Sequence, residues 1–161
     1  MNWQPCASVP PKLVKALLEA TRRSGLEHGA ALDLSGSVIS TVVGGPSAVR
    51  IPSGPILLHT HPTAAELPST IDRLTYALHG EAATCIASAR TGRAACYWRD
   101  DLGAMRKTLQ ALVQRIAIFN EKWQAGERDM KAGAALKRER DRLLEQVAAM
   151  PLRSCQIEEQ R

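Results

Sequence analysis

The sequence lacks a long hydrophobic run. No stretch of its 161 residues approaches the roughly 18 consecutive apolar positions of a membrane-spanning helix, so we expect no transmembrane segment. Residues 1–11 have no basic start followed by an apolar segment, the pattern of a secretory signal. We therefore expect a cytoplasmic protein that does not enter a membrane.

Aromatic residues and blocks of one charge are also scarce. Aromatic residues make up 4% of the chain, with a single Phe, so the core must consist mainly of Ala, Leu, Val and Ile. The net charge of +5 is spread out: residues 1–98 carry eight basic and six acidic side chains, and residues 99–161 carry thirteen and ten. Such a distribution does not favour nucleic-acid binding. With 45% apolar and 23% charged residues, the composition is that of a globular protein.

The four cysteines show no metal-binding spacing. None of Cys6, Cys85, Cys96 and Cys155 forms a CxxC pair, so we expect no zinc site made of cysteines. Cys85 and Cys96 fall in apolar, strand-like segments, where a buried free thiol is the default expectation. Disulfides between Cys85 and Cys96, or between Cys6 and Cys155, remain open alternatives, although reducing compartments disfavour them.

Hydrophobic periodicity predicts a mixed α/β fold with a central β-sheet flanked by helices. Apolar positions at spacings of three and four indicate helices, and alternating or short β-branched runs indicate strands. Proline at the start and glycine after the end mark the first helix. The predicted helices cover 11–24, 69–79, 102–123 and a segment ending near 150, and the predicted strands cover 26–34, 38–43, 48–51, 56–59, 82–89 and 94–98.

The informative segment is residues 56–72, which contains His-Thr-His at the end of a buried strand. Strand side chains alternate between faces, so His59 and His61 point to the same side. Asp72, in the first turn of the next helix, could return as a third ligand. Two imidazoles, a carboxylate and an open position are typical of catalytic zinc, which lowers the pKa of bound water to about 7. Glu27, on the first strand, is the carboxylate best placed by sequence order to move the proton.

Each of these features has a simpler interpretation. A lone His-x-His on a strand is more often structural than metal-binding, and a Glu at a strand start is usually a solvated edge charge. Ser69-x-x-Asp72 is similar to a helix capping box, although Asp replaces the usual Glu or Gln. Glu66, between the proposed ligands, is an alternative catalytic carboxylate. The combination is more specific than its parts and favours the metal-site interpretation.

At these residues the sequence resembles the JAMM (MPN-plus) metalloprotease family. The resemblance covers roughly residues 12–98 and rests on Glu27, the segment His59-Thr60-His61-Pro62, Ser69 and Asp72. It implies an MPN/JAB, cytidine-deaminase-like fold and one Zn²⁺ per chain. His59, His61 and Asp72 would bind the metal, Glu27 would act as general base, and Ser69 would hydrogen-bond the oxyanion. The implied reaction is hydrolysis of a peptide or isopeptide bond at the C-terminus of a ubiquitin-like protein.

Three alternatives to this function are open. A non-catalytic MPN-type scaffold or protein-binding module is the main one, although such domains typically lack the ligands that are present in this sequence. A phosphoesterase or amidohydrolase barrel needs more ligands and commonly at least about 200 residues. A RadC-type domain shares His-x-His-Pro, which leaves a DNA-linked role as a distant alternative.

The predicted organisation is a catalytic domain at 1–100, a helical hairpin at 101–150 and a tail at 151–161. The first hairpin helix carries an apolar stripe that the thinner stripe of the second cannot fully cover. Contiguous exposed apolar surface of this kind usually marks an interface. We expect the hairpin to mediate a homodimer or to dock a partner; packing wholly on its own domain is the alternative. The stripe consists of Leu102, Met105, Leu109, Leu112, Ile116, Phe119 and Trp123.

Overall fold

A computed structural model describes residues 3–158. In this range the chain forms a mixed α/β structure with four α-helices and one six-stranded mixed sheet, preceded by a 3-10 turn at Pro5–Ala7. No helix among these residues has the length and apolar character needed to cross a membrane. In chain order the elements are α1 (Pro11–Ser24), β1 (His28–Leu32), β2 (Val38–Val43), β3 (Ile56–His61), α2 (Thr70–His79), β4 (Ala83–Ser88), β5 (Ala94–Trp98), α3 (Gly103–Gln124), α4 (Met130–Ala149) and β6 (Arg153–Ile157).

The described chain divides into two compact units. The first, called the sheet unit, contains the chain up to Pro68, Glu81–Arg99 and the C-terminal segment from Leu152. The second, called the helical unit, contains Ser69–Gly80 and Asp100–Pro151. The helical unit thus includes α2 as well as the two helices of the expected hairpin. The division into 1–100, 101–150 and a tail stays a prediction.

The sheet has the strand order β2-β1-β3-β4-β5-β6. β3 and β4 are parallel and all other neighbours are antiparallel. Residues in register therefore share a face, and successive residues of one strand alternate between faces. Gly29, His59 and Ile86 form one row, and Leu58 and Cys85 belong to the adjacent row on the opposite face. The histidines and the cysteines consequently project from opposite faces of the sheet.

Helix α1 packs on the face of the sheet that carries the cysteines. Its buried residues recur at spacings of three and four, which gives one apolar side. Pro11 occupies the first helical turn, where a missing N–H costs nothing, and Gly25 ends the helix at φ 71°. Both end signals confirm the prediction from sequence. The buried residues are Val14, Leu17, Leu18 and Thr21.

The turn between β1 and β2 depends on Asp33 and Gly36. The Ser35 hydroxyl donates to Asp33 Oδ1 at 2.6 Å, and the Ser37 N–H donates to it at 2.9 Å. These hydrogen bonds, led by that of the Ser35 hydroxyl, hold the pKa of Asp33 below its ordinary value. Gly36 has φ 92°, and a Cβ there would lie 1.8 Å from the carbonyl oxygen of Ser8. Only glycine fits this position without movement of the backbone.

The helical unit has its own apolar core, and two of its helices, α2 and α4, begin with side-chain N-caps. The Asp129 side chain accepts the N–H of Ala132 at the start of α4, and α2 begins with a capping box. Val113 and Ile118 of α3 are about half exposed, so α3 retains apolar surface. The core consists of Ala77, Leu109, Leu112, Leu143 and Val147, with Leu74, Leu78, Met105, Ile116 and Leu136 partly buried against it.

Two expectations about strands were wrong. The segment 48–51 forms no strand, because the Gly45 N–H donates to the carbonyl of Ala48 at 2.8 Å and closes a turn there. Conversely, Arg153–Ile157 forms β6, within the region expected to be a tail. This strand is short, mostly exposed and polar, so its residue pattern gave no signal; pairing with β5 creates it.

The expectation of free thiols was also wrong, because Cys85–Cys96 and Cys6–Cys155 are both disulfides. Cys85 lies opposite Cys96 in the β4–β5 ladder, with a Cα–Cα distance of 4.0 Å. The 3-10 turn at Pro5–Ala7 packs against β6 and places Cys6 beside Cys155. Strand register therefore determines the Cys85–Cys96 pairing, and the packing of the 3-10 turn against β6 determines the Cys6–Cys155 pairing.

Candidate metal centre

Two buried imidazoles form the centre of the candidate site. Every residue of β3 is buried, and His59 and His61 are only 6% and 8% exposed. The two side chains project from the same face, as their spacing of two requires. Their Nε2 atoms lie 3.0 Å apart. β3 therefore holds two imidazole nitrogens next to each other on one face of the sheet.

A backbone carbonyl selects the tautomer of His61. Its Nδ1 lies 3.1 Å from the carbonyl oxygen of Ala65. Because a carbonyl can only accept, Nδ1 must carry the hydrogen, which leaves the lone pair of neutral His61 on Nε2. That lone pair faces His59. A ring N–H donated to a carbonyl is the usual support of a metal-binding histidine.

The distance between the nitrogens fits a single shared cation. Zinc–nitrogen bonds of about 2.0–2.1 Å at a tetrahedral angle place two nitrogens about 3.3 Å apart. The observed 3.0 Å separation is within a few tenths of an ångström of this value. With neutral rings, one nitrogen must bear a proton or a cation must lie between the two, because facing lone pairs repel. A metal ion fits the pair chemically.

The loop that follows β3 is fixed by two further side chains of the sheet unit. The Ser88 hydroxyl donates to the carbonyl of Thr63 at 2.7 Å, and the Tyr97 hydroxyl donates to the carbonyl of Glu66 at 2.8 Å. With the bond to His61, three hydrogen bonds hold this loop. The sequence analysis identifies neither residue as part of the site. Neither carries a sequence signal, because the pairings of β3 with β4 and of β4 with β5 set their positions.

Behind the histidines, a buried polar cluster anchors the strand. Thr60 lies between the two histidines and projects from the opposite face. Its Oγ1 accepts the backbone N–H of His28 at 2.9 Å and lies 2.5 Å from Oγ1 of Thr21 in α1. Nδ1 of His28 lies 3.2 Å from the same Thr21 hydroxyl. His28 therefore lies on the face away from the site, as strand alternation predicts.

Glu27 is buried and not a solvated edge charge. It is 6% exposed and directly precedes β1. Its backbone exchanges two hydrogen bonds of 2.8 Å with Gly44 and Gly45. Gly29 pairs with His59, so continuing the antiparallel register by two residues places Glu27 opposite His61, on the face of the imidazoles. Glu27 therefore lies directly before β1, on the face of the sheet that carries the imidazoles.

Ser69 and Asp72 belong to the helical unit and form a capping box. The Asp72 N–H donates to Ser69 Oγ at 3.1 Å, and the Ser69 N–H donates to Asp72 Oδ2 at 2.8 Å. The capping interpretation is therefore confirmed. His59 and His61 of the sheet unit are donors that could bind a metal ion, and Asp72 as the third ligand stays a prediction.

Comparison with known proteins adds no identification. A scan against models of protein families finds no match to this chain, and a search of curated proteins finds no similar sequence.

Proposed function

We propose that the chain is a JAMM-type zinc metallopeptidase in which His59, His61 and Asp72 hold one Zn²⁺. The observation that carries the proposal is the buried histidine pair with its nitrogens 3.0 Å apart and the His61 tautomer fixed by the Ala65 carbonyl. Two imidazoles and one carboxylate leave a coordination position open, as catalytic zinc sites do. Zinc bound in this way lowers the pKa of water to about 7 and so supplies a nucleophile near neutral pH.

The remaining chemistry is assigned to Glu27 and Ser69. Glu27 accepts the proton of the attacking water and returns it to the leaving amine, as general acid–base catalysis requires. Its position supports this role, because Glu27 is buried and the register of β1 and β3 places it on the face of the imidazoles. Ser69 uses its oxygen to cap α2, so its hydrogen can be donated to the developing oxyanion.

The proposed substrate is a peptide or isopeptide bond at the C-terminus of a ubiquitin-like protein, in the cytoplasm. The resemblance at Glu27, residues 59–62, Ser69 and Asp72 supports this substrate class. A neighbouring reading frame that encodes a small protein ending in Gly-Gly would identify the natural partner.

The test combines metal analysis with a fluorogenic substrate. Purified wild-type protein should contain one zinc per chain and release coumarin from a ubiquitin whose C-terminal glycine carries a coumarin amide. His59→Ala should lose both zinc and turnover, and Thr41→Val, at an exposed position of β2, is the matched control and should lose neither. Absence of metal from wild-type protein purified with ample zinc would refute the proposal. Zinc binding without turnover would favour the non-catalytic scaffold.

A further inference from the structure

All four cysteines of the chain meet on one face of the sheet unit. Cys85 pairs with Cys96 between β4 and β5, and Cys96 pairs with Cys155 between β5 and β6. Cys6 is bonded to Cys155 from the 3-10 turn. The sulfurs of Cys6, Cys96 and Cys155 lie within 4.8 Å of one another, although Cys96 belongs to the other disulfide. We call these four residues the sulfur cluster.

The spacing within the sulfur cluster fits a tetrahedral metal. Zinc–sulfur bonds of about 2.3 Å place two thiolates of one ion about 3.8 Å apart. In the oxidised chain Cys6 and Cys155 are covalently bonded and the Cys96 sulfur lies within 4.8 Å of both, so after reduction a small displacement would bring the three sulfurs to this separation. Cys85 is fully buried and covalently bound to Cys96, so opening that bond leaves a fourth thiol next to that of Cys96. Strand register creates this arrangement, which explains why the chain needs no CxxC spacing to form it.

We propose that in its reduced state the sulfur cluster is a second metal site, which binds a thiophilic cation such as Zn²⁺ through Cys6, Cys96 and Cys155, with Cys85 as the nearest fourth ligand. Thiolates are ligands of soft and borderline metals, whereas the histidine site opposite offers nitrogen and oxygen. Disulfide formation abolishes metal binding at this site, because a sulfur in a disulfide is no longer a thiolate.

The redox step is an ordinary dithiol exchange. A dithiol gives two electrons and two protons to each cysteine disulfide and becomes a cyclic disulfide, which leaves two cysteine thiols. The ligating thiols lose their protons to solvent as their sulfurs bind the cation. In the reverse direction a disulfide oxidant takes up two electrons and two protons per bond formed, and the cation is released. A reducing compartment therefore favours the metal-bound state, and an oxidising one favours the disulfides.

The experiment uses the full chain with both histidines of the other site replaced, His59→Ala and His61→Ala. The protein is reduced with a phosphine without oxygen, desalted and titrated with Co²⁺, whose bonds to thiolate give sulfur-to-cobalt absorption in the near ultraviolet. We expect about one Co²⁺ per chain with this absorption in the reduced protein, and none in the oxidised protein. Zn²⁺ should displace the cobalt and abolish the absorption. Absence of the band from the reduced protein would overturn the proposal.

Variants of the two ladder-paired cysteines identify the ligands. Cys96→Ser removes a shared ligand and should lose the absorption, whereas Cys85→Ser, the matched control, keeps three thiolates and should retain it with weaker binding. Equal absorption in the parent and in Cys96→Ser would refute the assignment. If reduction unfolds the chain, as judged by circular dichroism, adding Zn²⁺ should restore the folded spectrum. Unfolding that the metal does not reverse would also count against the site.

Discussion

The buried hydroxyl of Thr60 should be needed for the stability of the sheet unit and for the geometry of the histidine strand. Thr60→Val keeps the shape of the side chain but removes the oxygen. That oxygen accepts the N–H of His28 at 2.9 Å and bonds to the Thr21 hydroxyl at 2.5 Å. The His28 N–H and the Thr21 hydroxyl would each lose this hydrogen-bond partner in a region that is shielded from water. Thr21 is 1% exposed, and its hydroxyl would retain only the contact with the His28 ring.

The magnitude follows from the two groups left behind. A buried polar group that loses its partner costs about 1–3 kcal/mol. The cost for the His28 N–H lies at the lower end of this range, because that group is only half-buried. The two losses together mean that Thr60→Val should lower the free energy of unfolding by about 2–4 kcal/mol. For a urea dependence of about 2 kcal/mol per molar, the unfolding midpoint should fall by about 1–2 M. Urea titration followed by tryptophan fluorescence measures this shift.

Two further variants test the reasoning. Thr41→Val, at an exposed position of β2, should change the midpoint by little. Thr21→Val combined with Thr60→Val should cost less than the sum of the single changes, because each removes a partner that the other needs. A Thr60→Val midpoint within about 0.2 M of wild type would refute the assigned role of the cluster, since that shift corresponds to under about 0.5 kcal/mol.

Three other predictions test the candidate metal site, the turn between β1 and β2, and the helical unit. Glu27→Gln should keep the fold and the bound zinc but reduce turnover about 10²–10⁴-fold, because an amide does not accept the proton of the water. If Glu27→Gln keeps full activity and Glu66→Gln loses it, the general base is Glu66. Gly36→Ala should destabilise the chain by at least about 1 kcal/mol in thermal unfolding, because the added Cβ meets a carbonyl at positive φ; an unchanged midpoint would show that the turn can relax. Sedimentation at micromolar concentration should show a dimer if the apolar face of α3 is an interface, and a strict monomer would contradict self-association.

The elements that sequence reasoning predicted well are those whose signals are local. Pro11 and Gly25 mark the ends of α1, and the short apolar run before His59 marks β3, because these patterns depend on neighbours within a few residues. β6 carries no such pattern and exists through pairing with β5. The disulfides were undecided for the same reason, since strand register and not spacing brings Cys85 to Cys96.

The candidate site also contains features that local sequence patterns predict and features that they do not. The common face of His59 and His61 follows from strand alternation alone, and the cap of α2 follows from Ser-x-x-Asp. The Ala65 carbonyl that sets the tautomer of His61 depends on the path of a loop, which a sequence pattern does not specify. Tyr97 reaches that loop only because two strand pairings separate β5 from β3. Supporting contacts of this kind require the three-dimensional register.

The bond between Cys6 and Cys155 also determines what the oxidised chain becomes when it unfolds. It joins residues 149 positions apart, so in the denatured protein the segment between them is a closed loop and not an open polymer. Chain statistics give about 5 kcal/mol of lost denatured-state entropy for a ring of this size. Oxidised protein should therefore refold from a much smaller ensemble than reduced protein does, with both ends of the sheet unit already held together.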